Sequence, residues 1–436
     1  MKWRTIPLDA VKASVPYAFV GGPFGSNLTT RDYVAEGVPV IRGNNLPIDS
    51  SFRDDDFVFV SEKKADDLRS NRAYPGDLVF TQRGTLGQVG LIPLEARFQL
   101  YIISQSQMKL TVDPEVADAR FVYYFFRLPA TVQKVINHAI TSGVPHINLG
   151  ILKDFKITLP EIDCQQRAAD ILSTYDDLIE NNRRRMALLD EAARQLYREW
   201  FVRLRFPGHE HTRITKGAPE GWEKTTAISA MDVLSGGTPK TSVSDYWDGD
   251  IPFYTPKDAT EACFVLETER SITELGLKNC NSRLYAPDTV FISARGTVGK
   301  LNLALRPMAM SQSCYALLGK RHVPQLFLFC ALKEAIEHFK QHAVGAVFDA
   351  IVVDTFKLIP FTVPHEKMVR LFEVTVTPMF REVANLMEQN QKLRTARDLL
   401  LPRLMSGEIT VCQPHPHSME STSSMSMKAA TIAWNP

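Results

Sequence analysis

Two long stretches of the chain, each near the end of one half, have a mostly hydrophobic stripe that advances in steps of three and four. In the first stretch the stripe covers positions 171, 175, 178, 182, 185, 189, 193, 196 and 200. In the second it covers positions 376, 379, 383, 386, 390, 393, 397, 400 and 404. This spacing is typical of helices that pack against another helix as a coiled coil. The pattern therefore predicts two long helices with a packing seam.

Asn182 and Asn390 interrupt the two stripes at matching places. A buried polar residue in such a seam lowers stability but fixes register and orientation. Because the chain passes through a globular segment between the helices, the simplest pairing is antiparallel and within one chain. The alternative is that each helix packs only on its own module as a surface helix. The matched asparagines favour the paired arrangement, with Asn182 and Asn390 setting its register.

The segments that precede the helices mix short β-rich runs with helical stretches, and Gly, Pro, Asn and Asp separate them. Short phrases recur in the same order in both halves. Phe80-Thr81-Gln82-Arg83-Gly84-Thr85-Leu86-Gly87 is answered by Phe291-Ile292-Ser293-Ala294-Arg295-Gly296-Thr297-Val298-Gly299, and Ser104-Gln105-Ser106 by Ser311-Gln312-Ser313. A chain of two near-equal halves predicts a pseudo-twofold molecule. Its predicted class is α/β (α+β), with two similar mixed domains separated by two long helices that form an intramolecular antiparallel coiled coil.

These patterns place the domain boundaries. We predict mixed domains over residues 1–160 and 222–364, long helices over 161–205 and 365–407, and a linker over 206–221. Residues 408–436, rich in Ser, Met, Thr and Pro, are predicted to be a flexible tail. Each helix of about 30 residues would span roughly 45 Å, a little more than one turn of duplex DNA at roughly 34–36 Å.

Composition narrows the class of protein. The net charge of +1 argues against binding nucleic acid through bulk positive charge, but it allows a focused basic surface. The six cysteines form no CxxC pair and are scattered, which is typical of reduced thiols in a cytosolic protein. The start of the chain has no apolar signal core, and its longest apolar run is too short to span a bilayer. We therefore expect a cytoplasmic protein.

Motifs for catalysis are missing from the sequence. No GxGxxG occurs, nor an Asn-Pro-Pro-aromatic or Asp-Pro-Pro-Tyr methyltransferase motif. The run from Ala294 to Leu301 matches a P-loop only in part, because Ala294 replaces the first glycine and Leu301 the Ser/Thr that would hold Mg²⁺. We predict no catalytic residue and no metal site.

The repeated Arg-Gly-Thr-x-Gly phrase is the strongest candidate for a binding loop. Glycines let the backbone approach a phosphate, and Arg can contact phosphate or guanine edges. The alternative is a tight hairpin whose glycines serve only a positive φ and whose Arg is a surface charge. Polar residues after two Pro-led strands, in Arg42-Gly43-Asn44-Asn45 and Thr255-Pro256-Lys257-Asp258, suit base-edge contacts or simple turns. The candidate DNA contacts are Arg42, Asn44, Asn45, Gln82, Arg83, Thr85, Lys240, Lys257, Arg295, Thr297 and Lys300.

Taken together, these residues resemble the specificity subunit of type I restriction-modification systems. The resemblance covers nearly the whole chain. It rests on Gly22-Pro23-Phe24-Gly25-Ser26 and Glu36-Gly37-Val38-Pro39-Val40-Ile41 in the first half, on Gly236-Gly237-Thr238-Pro239-Lys240 and Asp250-Ile251-Pro252-Phe253 in the second, and on the closing phrase from Leu399 to Ile409. The chain departs from the family pattern at His365-Glu366-Lys367, which lacks the glutamine typical of the helix start.

The resemblance implies a function. Each mixed domain would be a target-recognition domain that binds, in the major groove, one half of a bipartite asymmetric site in double-stranded DNA. The helix pair would set the gap between the halves and dock two modification (methyltransferase) subunits, which restriction (endonuclease/translocase) subunits would join. S-adenosylmethionine and ATP with Mg²⁺ would belong to those partners, so this chain would hold no cofactor and have no catalytic activity. The other readings are a non-catalytic coiled-coil adaptor and a degenerate DNA methyltransferase or nuclease.

Overall fold

The computed structural model describes residues 3–141, 144–215, 217–342 and 350–411. The chain divides into two compact units. Unit 1 contains the described residues up to Asp176 together with those from Ala396 onward, and unit 2 runs from Asp177 to Thr395. Both long helices cross the boundary between units, so each unit contains part of both helices.

Unit 1 contains an antiparallel sheet, a mixed sheet and a separate antiparallel pair of strands. Its strands are β1 (Arg4–Pro7), β2 (Phe19–Gly21), β3 (Tyr33–Val34), β4 (Val38–Ile41), β5 (Val58–Val60), β6 (Arg72–Ala73), β7 (Leu78–Thr81), β8 (Val89–Leu91), β9 (Tyr101–Ile103), β10 (Gln107–Leu110) and β11 (Lys156–Leu159). Its helices are α1 (Glu62–Asp67), α2 (Ala119–Arg127), α3 (Pro129–Asn137), α4 (Leu149–Asp154) and the first part of α5 (Ile162–Tyr197). One sheet has the order β2-β10-β7-β8, a second has the order β3-β5-β4-β9-β6, and β1 pairs with β11.

Unit 2 has its own strands and helices. The strands are β12 (Ile214–Thr215), β13 (Ala218–Pro219), β14 (Glu223–Thr226), β15 (Met231–Ser235), β16 (Trp247–Tyr254), β17 (Phe264–Val265), β18 (Ser271–Ile272), β19 (Val290–Ser293), β20 (Leu301–Ala304), β21 (Ala309–Met310), β22 (Cys314–Gly319) and β23 (Pro360–Val363). The helices are the second part of α5, α6 (Ala227–Ala230), α7 (Glu274–Lys278), α8 (Gln325–His342), α9 (Thr355–Leu358) and most of α10 (Glu366–Met405).

The two units repeat one topology. In unit 2 the order β15-β22-β19-β20 matches β2-β10-β7-β8 of unit 1, and β14 pairs with β23 as β1 pairs with β11. The parallel pair β16 and β21 likewise matches the parallel pair β4 and β9. Most apolar side chains of these strands are buried, and in each unit they form a core together with helical residues. The structure therefore confirms two similar mixed domains.

The long helices pair as the asparagines predicted. The Asn182 Nδ2 donates to Asn390 Oδ1 at 2.9 Å, and the Asn390 Nδ2 donates to the carbonyl oxygen of Ile179 at 3.2 Å. Further along α5, Arg185 pairs with Glu382 at 2.7 Å, so the partner number falls as the α5 number rises. Within unit 2 the pairing is therefore antiparallel, and both asparagines are buried in it.

The predicted stripe is correct for α10 and partly wrong for α5. None of the nine predicted positions in α10 is exposed. In α5, Ile171 and Leu178 are 38% and 45% exposed, whereas the adjacent Leu172 and Ile179 are buried. The observed seam of α5 keeps a strict heptad through positions 172, 179, 186 and 193, with Asn182 between them.

A single replacement in the asparagine pair is predicted to destabilise the protein more than a double one. Asn390→Leu leaves the Asn182 amide buried without its acceptor, which costs about 1–3 kcal/mol. Replacing both with leucine removes the two polar groups together, so the double variant should be more stable than either single variant. Urea unfolding of the full chain measures the difference. Equal stabilities of the single and double variants would contradict a coupled pair.

The cysteines agree only in part with the prediction of reduced thiols. Cys263, Cys280, Cys314 and Cys330 are free thiols, as predicted. Cys164 is disulfide-bonded, so the prediction is wrong for this residue.

Over the described part of the chain, no helix combines the length and the apolar character that crossing a membrane requires.

Candidate nucleic-acid interface

The repeated Arg-Gly-Thr-x-Gly phrase forms the same tight hairpin in both units. It joins β7 to β8 in unit 1 and β19 to β20 in unit 2. Both glycines of each copy have positive φ, at +91° and +87° for Gly84 and Gly87 and at +80° for Gly296 and Gly299. Other residues rarely adopt this conformation, so the turn requires glycine there. The glycines of the phrase therefore have the conformational role in a tight turn that the sequence analysis gave as one of two interpretations.

Arg83 and Arg295 occupy the same place in the two hairpins. Both are exposed, and within the described ranges neither side chain has a hydrogen bond or an ion pair. A guanidinium offers five donors in a planar fork that matches a phosphate or the O6/N7 edge of guanine. Each hairpin thus presents an unpaired arginine to solvent from a rigid turn.

The base of each hairpin is held on both sides by backbone hydrogen bonds. On one side Gln82 N donates to Ser106 O at 2.7 Å, and Ala294 N donates to Ser313 O at 2.9 Å. On the other side the Gln82 and Ala294 carbonyl oxygens accept from Ile147 N at 3.1 Å and from Ile351 N at 2.8 Å. Gln82 therefore supports the turn through its backbone.

The Ser-Gln-Ser turn packs against a glycine in each unit. A Cβ on Gly22 would lie 2.0 Å from Ser104 O, and one on Gly236 would lie 2.3 Å from Ser311 O. Only glycine allows this approach, which explains why both Gly-rich phrases recur. The middle glutamines then fasten the Gly-rich loops, because Gln105 donates to the Gly25 carbonyl oxygen and Gln312 accepts from Thr238.

The turns after the Pro-led strands also correspond. Arg42 N donates to Asn45 Oδ1 at 2.9 Å, and Thr255 N donates to Asp258 Oδ2 at 2.8 Å. Each turn lies beside the Ser-Gln-Ser turn, since Ser104 N donates to Ile41 O and Ser311 N to Tyr254 O. In each unit the hairpin, the Ser-Gln-Ser turn, the Gly-rich loop and this turn thus form one loop cluster.

Asn45 is buried and therefore is not a candidate for DNA contact. Its side chain is fully buried, and its Nδ2 donates to the carbonyl oxygens of Arg53 and Asp55 at 3.1 and 2.9 Å. A group enclosed in this way cannot reach a base. The neighbouring Asn44 stays at the surface, with its Nδ2 2.8 Å from Asp56 Oδ2, and the Arg42 Nη2 donates to the Asp56 carbonyl oxygen at 3.1 Å.

The remaining candidates differ in how free they are. Lys257 pairs with Glu269 at 3.2 Å, and Lys300 pairs with Glu261 at 3.1 Å. The Thr297 Oγ1 donates to the Pro256 carbonyl oxygen at 2.8 Å and so joins the hairpin to the adjacent turn. Thr85 and Lys240 are exposed. Among the described residues, the side chains of Gln82, Arg83, Thr85, Lys240 and Arg295 are therefore the candidates that need not break a hydrogen bond or an ion pair to meet a ligand.

The sequence reasoning did not single out Phe24. Its ring is 89% exposed at the tip of the Gly-rich loop of unit 1. The available signal was a large apolar residue between Pro23 and Gly25, where a solvated loop favours polar residues.

The described residues offer little for acid–base or metal chemistry. No group of three or more His, Cys, Asp or Glu among them could hold a metal ion. Burial raises the pKa of the Cys263 and Cys314 thiols to about 12, so both stay protonated at neutral pH. Burial likewise raises the pKa of Tyr123 to about 12. The Cys314 thiol borders the loop cluster of unit 2, since Ser311 Oγ donates to its Sγ at 3.9 Å.

Comparison with known proteins identifies the family. The family model for the type I restriction modification DNA specificity domain matches residues 34–190 and again residues 219–368. The type I restriction enzyme MjaIX specificity subunit of Methanocaldococcus jannaschii is 23% identical over 356 residues, covering 78% of this chain and 80% of that protein. The HindI specificity subunit of Haemophilus influenzae is 21% identical over 374 residues, covering 71% and 81%.

A solved structure has the same fold. The crystal structure of the S subunit of a type I restriction-modification system from M. genitalium superimposes with a TM-score of 0.56 at 17% identity, over 93% of this chain and 96% of that one. The two family matches together cover more than half of the chain, and each contains one of the two hairpins described above. The chain therefore belongs to the type I restriction modification DNA specificity domain family.

Proposed function

We propose that this chain is the DNA-recognition subunit of a type I restriction-modification complex and that each unit reads one half of a bipartite, asymmetric site. The observation that carries the proposal is the duplicated loop cluster, with an exposed, unpaired arginine on the same rigid turn in both units. Two similar surfaces in one chain suit a target in two parts. The other side chains of the two clusters differ, as an asymmetric site requires.

The low net charge supports a focused mode of binding. Three of the candidate cationic or amide groups, Lys257, Lys300 and Asn44, already contact acidic side chains. Non-specific binding grows with the number of phosphates that free cations neutralise. The ion pairs of Lys257 and Lys300 therefore reduce the attraction for random DNA, so that affinity for a particular site depends more on base contacts.

We further propose that the paired helices set the gap between the two half-sites and bind two modification subunits, which restriction subunits join. The hydrogen-bonded asparagines support the first part, because a fixed register gives the pair a fixed length. S-adenosylmethionine, ATP and Mg²⁺ are assigned to those partners, and this chain is assigned no catalytic role. Titration of the isolated chain with S-adenosylmethionine should release no heat. Saturable one-to-one binding would instead support a degenerate methyltransferase.

Selection of DNA from a random duplex pool tests the recognition role. The full chain in complex with a modification subunit of its system is mixed with the pool, and bound duplexes are recovered and sequenced. We expect two short conserved blocks separated by a gap of fixed length. If a complex whose assembly is verified recovers the pool without enrichment, the result would support the coiled-coil adaptor hypothesis.

A further inference from the structure

Phe24 is a large apolar side chain held out in solvent. At 89%, it is the most exposed large hydrophobic residue among those that the structure describes. A single exposed apolar residue is ordinary by itself, but a ring held out this far gains free energy when a ligand covers it. Leu94, which is 79% exposed at the other end of the β7–β8 pair, is a useful comparison in the same unit.

The backbone under Phe24 is fixed. The Gln105 Nε2 donates to the carbonyl oxygens of Gly25 and Leu28 at 2.5 and 2.6 Å, and Asn27 N donates to Phe24 O at 3.1 Å. Leu28 is buried at the far end of the loop. Before Phe24, Gly22 N donates to Gln107 O at 2.8 Å. The ring therefore projects from a loop that is anchored on both sides and pre-organised for a contact.

Phe24 belongs to the same loop cluster as Arg83. The Ser-Gln-Ser turn touches the Phe24 loop through Gln105, and it touches the Arg83 hairpin through the bond from Gln82 N to Ser106 O. Apart from Phe24, the exposed residues of the unit 1 loop cluster are polar or glycine: Gly25, Ser26, Asn27, Arg83, Gly84, Thr85 and Gln105. A protein partner would instead need a wide patch with an apolar centre. The neighbourhood suits DNA.

Unit 2 has the same frame but a different side chain at this place. Gly236 packs on its Ser-Gln-Ser turn as Gly22 does, and Thr238 follows two residues later, as Phe24 follows Gly22. The Thr238 hydroxyl donates to Gln312 Oε1, so the position is polar in unit 2 and apolar in unit 1. A shared frame that presents different chemistry is what two half-sites of different sequence require.

We propose that Phe24 determines specificity by packing against the 5-methyl group of a thymine in the half-site that unit 1 reads. The methyl group is the apolar feature that distinguishes thymine in the major groove, and phenylalanine is among the side chains that contact it. The inference rests on the proposed function and adds a residue and a base to it.

Replacement of each thymine of the recognised site by uracil, which lacks only the methyl group, tests the inference. Binding of the complex of the full chain with its modification subunit is measured for the wild type, Phe24→Ala and Leu94→Ala. At one thymine, within one half-site, uracil should weaken wild-type binding about fourfold, the value of one buried methyl group. Phe24→Ala should bind the thymine and uracil duplexes equally there, and Leu94→Ala should behave as the wild type. Because Phe24 is exposed, the variant should keep the wild-type melting temperature.

The outcomes separate this inference from the proposed function. Equal uracil sensitivity of the wild type and Phe24→Ala at every position would overturn the role of Phe24, as would a site that contains no thymine. Wild-type complex that binds the site no more tightly than random duplex would overturn the proposed function itself.

Discussion

Replacing Arg83 and Arg295 together with alanine is expected to lower the affinity of the assembled complex for its DNA site by roughly two orders of magnitude. Each guanidinium that contacts a guanine edge contributes about 1–3 kcal/mol, so removing two of them gives an effect of this size. The fold should not change, because both side chains are exposed and, in the parts of the chain described, unpaired. The melting temperature and the assembly with modification subunits should therefore match the wild type.

The salt dependence of DNA affinity distinguishes arginines that bind phosphates from arginines that bind base edges. Anisotropy titrations at several salt concentrations give the slope of log affinity against log salt. If the arginines bind phosphates, the slope of the variant should be smaller in magnitude by about 0.9 for each phosphate that it no longer neutralises. If they bind base edges, the slope should stay the same, and sequence selectivity should relax at one position in each half-site. Arg213→Ala with Arg306→Ala is the matched control, since both residues are exposed, unpaired among the described residues and outside the two hairpins. An affinity of the Arg83 and Arg295 double variant within about twofold of wild type, far below the effect of even one base-edge contact, would exclude the hairpins from the interface.

Lengthening both long helices by one heptad is expected to replace the recognised site by one with a longer gap. A copy of residues 176–182 is inserted after Asn182 and a copy of residues 390–396 before Asn390, which keeps every native residue and the heptad phase. Seven residues add about 10 Å to the pair. Since base pairs are spaced about 3.4 Å apart along the duplex, the gap should grow by about three base pairs. The original site should then lose sequence-specific recognition.

Insertion into one helix alone is the control for the lengthened pair. The copied heptad carries its own asparagine, so one helix then has two asparagines and the other has one. One buried asparagine amide is left without its partner and the two helices lose register on one side of the insert, which lowers stability. The gap is measured from the DNA that each assembled variant selects. A lengthened pair that assembles and still selects the original gap would contradict the proposal that the helices set the spacing.

The seam of α10 could be predicted from the sequence, whereas that of α5 could not be predicted in full. In α5 two apolar residues are adjacent at each of two places, Ile171 with Leu172 and Leu178 with Ile179. Periodicity alone accepts either member of such a pair. Only packing decides, and it buries Leu172 and Ile179. The asparagines were decisive because a polar residue in a seam admits one partner far better than others.

The sequence predicted the turns of the loop clusters but not the contacts that their side chains make. The repeated glycines indicated tight turns, and their positive φ values bear this out. The burial of Asn45 depends on the backbone of Arg53 and Asp55, and the ion pair of Lys300 depends on Glu261. Arg53 and Asp55 lie eight and ten residues after Asn45, beyond a local turn motif, and Glu261 lies further still from Lys300, so no local pattern indicates these partners. Phe24 was missed because exposure of an apolar residue contradicts the rule by which sequence patterns are read.

Base-resolved mapping of methylation tests the central claim most directly. A bacterial host expresses the full chain together with a modification subunit of its system, and a matched host expresses the modification subunit alone. We predict a methylated motif in two parts with a gap of fixed length, present only in the first host. Identical methylation in both hosts, with a verified complex and an active modification subunit, would contradict the assignment of DNA recognition to this chain.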